Sequence, residues 1–289
     1  ALAMILLGLF PMLILSTFVM NTILEEYENA LADNYQQAAI HISSSVENML
    51  SVYNNASKSA YYYETESRTE ETAYSSGYDT LRRILTGEIF AYEERDSQRE
   101  SEMRLFLRNI ENMDGYIYAV HFVADIPETG RRSFHFSRRK TFFQDEEAFY
   151  DCMNYEEWDT ASKNLLLIPT HGTDYYNGVR DDVFTVARNY YDLRGEIGRE
   201  KYIGTLFVDI DVEKLRLIIK KMHMGEAQNI WLVNEEGDCF YSTRPEAAGR
   251  NLEREGMMPV SSEETMVIAT QENDYGLKVV LAVDRKEAF

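Results

Sequence analysis

The stretch IGTLFVDID at positions 203–211, followed directly by VEKL, decides the fold. Its short apolar run of β-branched and aromatic residues is typical of a buried strand. From Leu215 to Met222 apolar residues then recur at helical spacing. Asp211 is suited to cap the start of that helix, whereas Asp209 lies within the strand. A strand that closes one sheet and leads into the helix of the next module predicts two modules in series.

On both sides of this stretch the sequence predicts helices and antiparallel strands. Upstream, a hairpin turns at 126–130, a helix covers 145–161, and a loop covers 169–176. Downstream, a helix over 212–224 precedes a smaller sheet. This organisation is α+β. The predicted strands are 116–123, 133–137, 165–168, 183–190 and 202–210 in the first module, and 229–233, 239–242, 265–269 and 277–283 in the second.

The first 24 residues contain no charged side chain, and positions 4–20 are almost wholly apolar. About 20 such residues span the hydrocarbon layer of a membrane, and Pro11 is tolerated there. The apolar run is longer than the roughly 7–15 residues of a signal peptide, and no small-residue cleavage motif follows. We therefore expect a transmembrane helix. The flanking charges, Glu25, Glu26 and Glu28, are acidic, so the body of the chain is expected to be extracytoplasmic.

Residues 25 to about 64 predict one long helix, with a single apolar stripe and no Gly or Pro. A helix of about 40 residues is long for a globular element, and it suggests pairing with a second copy in a homodimer. The stripe fits equally well a helix that serves only its own core. The stripe consists of Leu31, Tyr35, Ala38, Ile42, Val46, Met49, Tyr53, Ala56 and Ala60. Residues 65–77 predict a loop, and 78–112 a second helical region whose charged part, 93–100, is a loop or a solvated face.

The composition excludes some classes of function. The 289 residues include 49 Asp+Glu and 29 Lys+Arg, giving a net charge of −20, which argues against nucleic-acid binding through a basic surface. The two cysteines, Cys152 and Cys239, are far apart in sequence and cannot form a disulfide-rich scaffold. Two free thiols are expected, and a single bridge between them is the alternative.

The order of these parts resembles the extracytoplasmic double Cache domain of bacterial receptors, with two PAS-like modules in tandem. Residues 202–211 look like the family's G-x-x-x-x-D-I strand, and residues 230–242 like its strand, acidic turn, glycine and strand. Within the family, the sequence is most similar to the ectodomains of sensor histidine kinases of Gram-positive bacteria. The predicted parts are a transmembrane helix (1–24), a long linking helix (25–65), a distal ligand-binding module (66–211), a proximal module (212–284) and the start of a second span (285–289).

The resemblance implies a small-molecule site in the distal module, for an amino acid, sugar, carboxylate or similar ligand. Asp209 matches the aspartate that takes the ligand amine in amino-acid-binding members. Their arginine motif, R-x-x-W-Y, has no clean match: Arg139 is followed by Phe-Phe, and Trp158 has Tyr155 in the arginine position. Guanidinium groups suit planar anions, and aromatic faces suit rings or cations. The candidate ligand-binding residues are Asp209, Arg188, Trp158, Arg139, Tyr175 and His171.

These residues also have structural explanations. Trp158 could be a core residue, Arg188 and Asp209 could pair with each other, and His171 could be exposed in its loop. No catalytic signature is present, the five histidines lack metal-ligand spacing, and no cofactor is expected. We therefore expect no enzyme activity in this segment.

The sequence favours a ligand-sensing ectodomain at the cell membrane, of a two-component histidine kinase in the first place. A chemoreceptor or a cyclic-dinucleotide enzyme is the alternative output. Two alternatives of another class stay open: a membrane-anchored surface hydrolase, such as a glycosidase or esterase, and a structural or partner-binding ectodomain with an occluded pocket. Phe and Tyr side chains filling the distal cavity would support the occluded pocket.

Overall fold

The fold is taken from a computed structural model, which describes residues 2–58, 61, 82, 85, 95–126, 130–137, 142–178, 180–193, 198, 200–221 and 228–288. Over these residues one long helix runs beside two antiparallel sheets that follow each other along the chain. The predicted α+β class and the order of long helix, larger sheet and smaller sheet are confirmed.

The long helix, α1, spans Leu2–Lys58 without a break. One side of its C-terminal half is buried, with Ile42, Val46 and Leu50 at 0 to 1% exposure. The predicted stripe differs at its third position, because Ala39 is fully buried and Ala38 is only half-buried. In the described part of the chain, no helix contains a run that is long and apolar enough to cross a membrane.

The larger, distal module has a five-stranded antiparallel sheet. Its elements are α2 (Arg95–Glu111), β1 (Ile117–Ile126), β2 (Gly130–Phe136), α3 (Glu146–Cys152), β3 (Leu166–Gly172), β4 (Asp182–Asp192) and β5 (Lys201–Asp211). The strand order is β2-β1-β5-β4-β3, so β5 lies at the centre and pairs with both β1 and β4. Helix α2 includes most of the charged stretch 93–100, which is helical from Arg95 onward.

The two faces of this sheet carry different side chains. On β5, Leu206, Val208 and Ile210 join the core that also contains the buried side of α1 and α2. The alternate residues Phe207 and Asp209 face α3 on the other side, because successive side chains of a strand point to opposite faces. This alternation separates a structural face from the face that carries Asp209.

Gly204 has a steric role in β5. A Cβ at this position would lie 2.7 Å from the carbonyl oxygen of Val123 and would also meet the ring of Phe122. The strand therefore passes β1 more closely than any side chain permits. The glycine of the sequence motif is explained by this close approach.

The helix predicted over 145–161 is wrong in its extent. Asp145 caps α3, its side chain accepting from the Ala148 N–H at 2.9 Å, and the helix ends at Cys152. Asn154 adopts a left-handed conformation with φ 49°, which interrupts the helix. A short 3-10 turn, Tyr155–Glu157, follows.

The loop predicted over 169–176 is wrong in its first part, because β3 continues to Gly172. The pairing of β3 with β4 shifts between Ile168 and His171, which is an irregularity that accommodates Pro169. Proline is tolerated here because β3 is an edge strand of the sheet. His171 thereby becomes a strand residue beside β4 instead of an exposed loop residue.

The smaller, proximal module follows β5 directly. It contains α4 (Glu213–Lys220), β6 (Gln228–Asn234), β7 (Cys239–Ser242), β8 (Thr265–Ala269), β9 (Leu277–Asp284) and the short helix α5 (Arg285–Ala288), and its sheet order is β7-β6-β9-β8. Asp211 accepts from the Glu213 N–H at 2.9 Å, which is the capping role expected for it. The last residues of the predicted helix, 222–224, lie outside the described residues.

The two modules and α1 share one core. Leu50 of α1 packs where Leu167 and Phe184 of the distal sheet meet Leu232 and Phe240 of the proximal sheet, and this junction leaves no room for a water molecule. A polar contact crosses the same boundary, since the Thr170 hydroxyl donates to the Phe240 carbonyl at 2.5 Å. Opposite it, a Cβ on Gly249 would clash with the Thr170 carbonyl oxygen.

Asp114, in the turn before β1, connects α1, α4 and the start of β1. Its Oδ2 accepts from Tyr53 of α1 at 2.8 Å and from Lys214 of α4 at 2.9 Å, while Oδ1 accepts from the Tyr116 N–H. Burial acts to raise the pKa of Asp114, but these hydrogen bonds and the charge of Lys214 outweigh it and hold the pKa below its usual value. The carboxylate thus ties α1 to the helix that opens the proximal module.

Candidate functional site

Asp209 is the centre of the polar cluster in the distal module. It lies on the central strand β5, opposite Ala119 of β1 and Thr185 of β4, and its exposure is 0%. Oδ2 accepts from the Tyr175 hydroxyl at 2.6 Å and from Nε2 of His121 at 2.9 Å, while Oδ1 accepts from the Thr185 hydroxyl at 2.6 Å. Three side-chain donors from three different strands or loops therefore converge on one carboxylate.

The cluster keeps Asp209 ionised. Burial acts to raise its pKa, but the charge and hydrogen bond of His121, the charge of His171 and the hydrogen bond from Thr185 outweigh burial and lower the pKa. The same burial, together with the negative charge of Asp209, raises the pKa of Tyr175 well above its usual value. Tyr175 is thus held as a hydroxyl that donates to a carboxylate.

His121 and His135 form a coupled pair beside Asp209. Their Nδ1 atoms are 2.7 Å apart, so one Nδ1 must carry a proton and donate it, and the other Nδ1 must be unprotonated and accept it. Since Nε2 of His121 donates to Asp209, His121 is either neutral and accepts from His135, or charged and donates to it. Burial and the nearby His121 lower the pKa of His135 to about 2, so His135 remains neutral.

His171 closes the other side of the cluster. Its Nδ1 donates to the Pro169 carbonyl at 2.8 Å, and its Nε2 lies 3.3 Å from the Tyr175 hydroxyl and 3.4 Å from Thr185 Oγ1. Both hydroxyls give their proton to Asp209, so a proton on Nε2 of His171 would satisfy both oxygens. The irregularity in β3 is what brings this ring to the cluster.

Two chain segments close over the cluster and are joined by backbone hydrogen bonds. The Gln144 N–H donates to the Tyr175 carbonyl and the Asn177 N–H to the Phe142 carbonyl, each at 3.0 Å. Between them, Phe143 stacks on the His135 ring with the two ring centres 3.3 Å apart. We call residues 142–145 and 175–177 the cover segments.

Aromatic side chains fill the space around Asp209. Phe149, Tyr175 and Phe207 are at most 1% exposed, and the Phe149 ring contacts both of the others edge to face. Asp209 therefore faces packed Phe, Tyr and His rings, so the cluster is occluded in this structure. This is the arrangement expected for the occluded-pocket alternative, and it also describes a binding site whose cover segments are closed.

The structure brings four of the six predicted site residues to this face. Tyr175 contacts both Asp209 and His171. Trp158 instead packs on Phe207 and donates to Asn189 Oδ1 at 2.9 Å, farther along the sheet. Within its own neighbourhood, the indole of Trp158 has a core contact and a structural hydrogen bond. Its predicted role in binding stays a prediction.

The structure does not bring Arg188 to Asp209. Arg188 lies on the opposite face of the sheet, where it donates to Ser57 Oγ at 2.6 Å, to the Lys163 carbonyl at 3.2 Å and to Asn54 Oδ1. Thr185, which pairs with Asp209, and Arg188 are three positions apart on β4, so their side chains point to opposite faces of the sheet. Arg188 therefore cannot pair with Asp209. Arg139 lies outside the described residues.

Sequence reasoning missed His121, His135 and Thr185. Each lies directly opposite another member of the site, since His121 pairs with His135 and Thr185 pairs with Asp209. The antiparallel hairpin was predicted correctly, and its register would have placed the two histidines together. A search for metal-ligand spacing along the sequence could not find them. In the described part of the chain no group of three or more His, Cys, Asp or Glu residues is placed to hold a metal ion.

Both cysteines are free thiols. Cys152 at the end of α3 is half-buried, and Cys239 in β7 is buried. Burial, with the negative charge of Asp209 second, raises the pKa of Cys152 to about 12, so this thiol is not a nucleophile at neutral pH.

Comparison with solved structures identifies the fold. No protein-family model matches the sequence, and no curated protein matches it. The periplasmic sensory domain of the Campylobacter jejuni chemoreceptor Tlp1 superposes with a TM-score of 0.55 at 12% identity, over 91% of this chain and 97% of that one. The extracellular domain of soHK1S-Z6, a candidate histidine kinase, gives 0.54 at 12% identity over 90% and 96%.

The ligand-binding domain of the Pseudomonas aeruginosa amino acid chemoreceptor PctB, solved with L-Arg, gives a TM-score of 0.51 at 10% identity, over 91% of this chain and 90% of that one. Nearly the whole of each domain is covered, so the likeness concerns the tandem arrangement and not one sheet alone. The chain therefore has the fold of extracytoplasmic sensory domains, the double Cache arrangement that its sequence resembles.

Proposed function

We propose that this chain is the ligand-sensing, extracytoplasmic part of a membrane-bound bacterial receptor, and that a small molecule binds in the distal module at Asp209. The observation that carries the proposal is a fully buried, ionised carboxylate on the central strand, whose donors are side chains of the surrounding strands and cover segments. The fold that the chain shares with sensory domains supports it.

The ligand is a small molecule with a cationic amine, and an α-amino acid is the first class to test. A buried carboxylate matches an ammonium group, which can replace the hydrogen bonds of Tyr175 and His121. The surrounding rings supply an apolar wall for the rest of the ligand. PctB, which shares the fold, was solved with L-Arg, and this supports a ligand of this class.

Binding requires the cover segments to open and Tyr175 to leave Asp209. A ligand changes the balance of two arrangements only by its different affinity for them. The change would reach the membrane through α1 and α4, which Asp114 joins, with the N-terminal residues as the membrane span. A homodimer through α1 would present two such helices side by side.

The output domain proposed for the intact protein is a histidine kinase, with a chemoreceptor as the alternative, since the similar structures include both kinds. A cyclic-dinucleotide enzyme is a further alternative. This segment itself is proposed to bind a ligand without catalysis, and the surface-hydrolase alternative has no observation in its favour here.

The test is a thermal-shift screen of the full chain against amino acids, amines, carboxylates and sugars, followed by calorimetric titration. We expect saturable stabilisation by at least one amine-bearing compound, and loss of its binding in Asp209→Asn. The matched control is Asp274→Asn, which removes an exposed carboxylate of the proximal module and should bind normally.

The opposite result favours a second candidate function. The packed aromatic cluster also suits a domain that binds no small molecule and acts through a protein partner. If the screen yields no saturable ligand, or if Asp209→Asn binds as well as the parent chain, ligand sensing at Asp209 is excluded and the partner-binding candidate is favoured.

A further inference from the structure

We propose that Asn177 is a site of spontaneous deamidation, where water converts the side-chain amide to aspartate or isoaspartate and ammonia is released. Asn177 ends the second cover segment and is followed by Gly178, which makes the only Asn-Gly pair in the sequence. Asparagine is one of the thermolabile residues of proteins. The proposal depends on the geometry of this turn and not on the proposed role of Asp209.

The reaction is an attack of the main chain on the side chain that precedes it. The backbone nitrogen of Gly178 loses its proton and forms a bond to Cγ of Asn177, and the Cγ–Nδ2 bond breaks as ammonia leaves. Water then opens the cyclic imide at one of its two carbonyl carbons. Opening at Cγ restores the normal main chain and gives aspartate. Opening at the backbone carbonyl carbon gives isoaspartate, in which the main chain runs through the former side chain and is longer by a methylene group.

The first argument is the freedom of the attacking nitrogen. Gly178 is exposed, and its N–H donates no hydrogen bond to any residue that the structure describes. Its φ of 129° lies in a region that residues with a Cβ rarely adopt, and the absence of a side chain leaves the approach to Cγ of Asn177 uncrowded. The nucleophile is therefore accessible.

The second argument is the environment of the amide carbon that is attacked. Asn177 is exposed to solvent, and its Oδ1 accepts from the Phe142 N–H at 3.4 Å. A donor at this oxygen stabilises the negative charge that the oxygen gains when Cγ is attacked. Because Phe142 belongs to the other cover segment, the closed arrangement of the cover assists the reaction.

The conversion alters the closure over the Asp209 cluster. The Asn177 N–H donates to the Phe142 carbonyl at 3.0 Å, and this bond is one of those that join the two cover segments. Isoaspartate lengthens the main chain directly after this N–H, and either product adds a negative charge to a chain whose net charge is already −20. We expect the cover segments of the converted chain to exchange their amide protons about fivefold faster, as for the loss of one hydrogen bond.

The experiment incubates the full chain at mildly alkaline pH, below its melting temperature, and follows the tryptic peptide 164–180 by mass spectrometry. The same peptide contains Asn164, which is also exposed but is followed by Leu165 and serves as the internal control. We expect the acid form to accumulate about tenfold or more faster at Asn177, because the side chain of Leu165 crowds the attack at Asn164. Aspartate and isoaspartate should appear as two separate products.

A variant and a change of condition complete the test. Asn177→Gln keeps an amide but needs a larger ring, which closes more slowly, so conversion at position 177 should fall to the level of Asn164. Equal rates at Asn177 and Asn164 in the folded chain overturn the proposal. Conversion that begins only when urea unfolds the chain also overturns it, because the site is proposed for the folded turn. Deuterium exchange of residues 142–145 that is the same in fresh and converted chains overturns the effect on the cover.

Discussion

Replacing Leu50 by alanine tests whether the two modules share one core. Leu50 is 1% exposed and lies at the junction of α1 with both sheets, among side chains that leave no space for water. Leucine-to-alanine changes in such positions cost about 2–5 kcal/mol, through lost burial and the cavity that remains. Because rigid strands surround this cavity on both sides, it cannot collapse easily, and we expect a loss of about 3–4 kcal/mol.

The assay is urea unfolding of the full chain, followed by far-ultraviolet circular dichroism and by tryptophan fluorescence. Trp158 reports on the distal module and Trp231 on the proximal one. The two probes should show coincident transitions, and Leu50→Ala should move both midpoints together, because the junction belongs to both modules.

The matched control is Leu105→Ala on α2, which makes the same chemical change at a position that is 42% exposed. It should cost less than about 1 kcal/mol. A loss below about 1.5 kcal/mol for Leu50→Ala, or a shift in the transition seen by only one of the two probes, would refute the shared core.

Three further predictions concern single residues. Gly204→Ala should destabilise the fold by about 1–3 kcal/mol, since its Cβ would meet the Val123 carbonyl, whereas Gly115→Ala has nothing within 4 Å and should be tolerated in chemical denaturation. Because the pKa of Asp114 is lowered on folding, its stabilising effect is present above the unfolded-state pKa and is lost as the pH falls through the folded-state pKa. The difference in melting temperature between the parent chain and Asp114→Asn should therefore be largest near pH 6 and should close below about pH 4; a difference that grows on acidification contradicts this sign. Arg188→Lys keeps the charge but loses the three-way hydrogen bonding to α1 and the Lys163 carbonyl, so calorimetry should show a loss of about 2–3 kcal/mol, and a neutral effect would mean that the charge alone matters.

The strands could be predicted from sequence because alternation and turn residues act locally. The hairpin of β1 and β2 and the strand that carries Asp209 belong to this class. The length of α3 could not be predicted, because the residues after Cys152 retain helical periodicity and only the left-handed Asn154 interrupts them. The continuation of β3 through Pro169 could not be predicted either, because a proline normally ends the pairing of one strand with the next.

The site was predictable only in part, because its members come from different strands. Asp209, Tyr175 and His171 were identified, and Tyr175 does contact the other two. Arg188 was grouped with them because a guanidinium suits a ligand, but the face of β4 on which it lies depends on register, which composition does not reveal. The pairing of His121 with His135 likewise depends on register and not on spacing along the chain.

Neighbouring residues of β3 serve different modules. His171 reaches the Asp209 cluster, while Thr170, the residue before it, bonds the Phe240 carbonyl of the proximal sheet and abuts Gly249. Thr170 and His171 are joined by one planar peptide unit, so the contacts that they make to the two modules are one residue apart. The backbone of Gly249 lies so close to the Thr170 carbonyl oxygen that a Cβ at position 249 would clash with it. The edge strand β3 therefore connects the Asp209 cluster to the proximal sheet by a route that does not pass through α1.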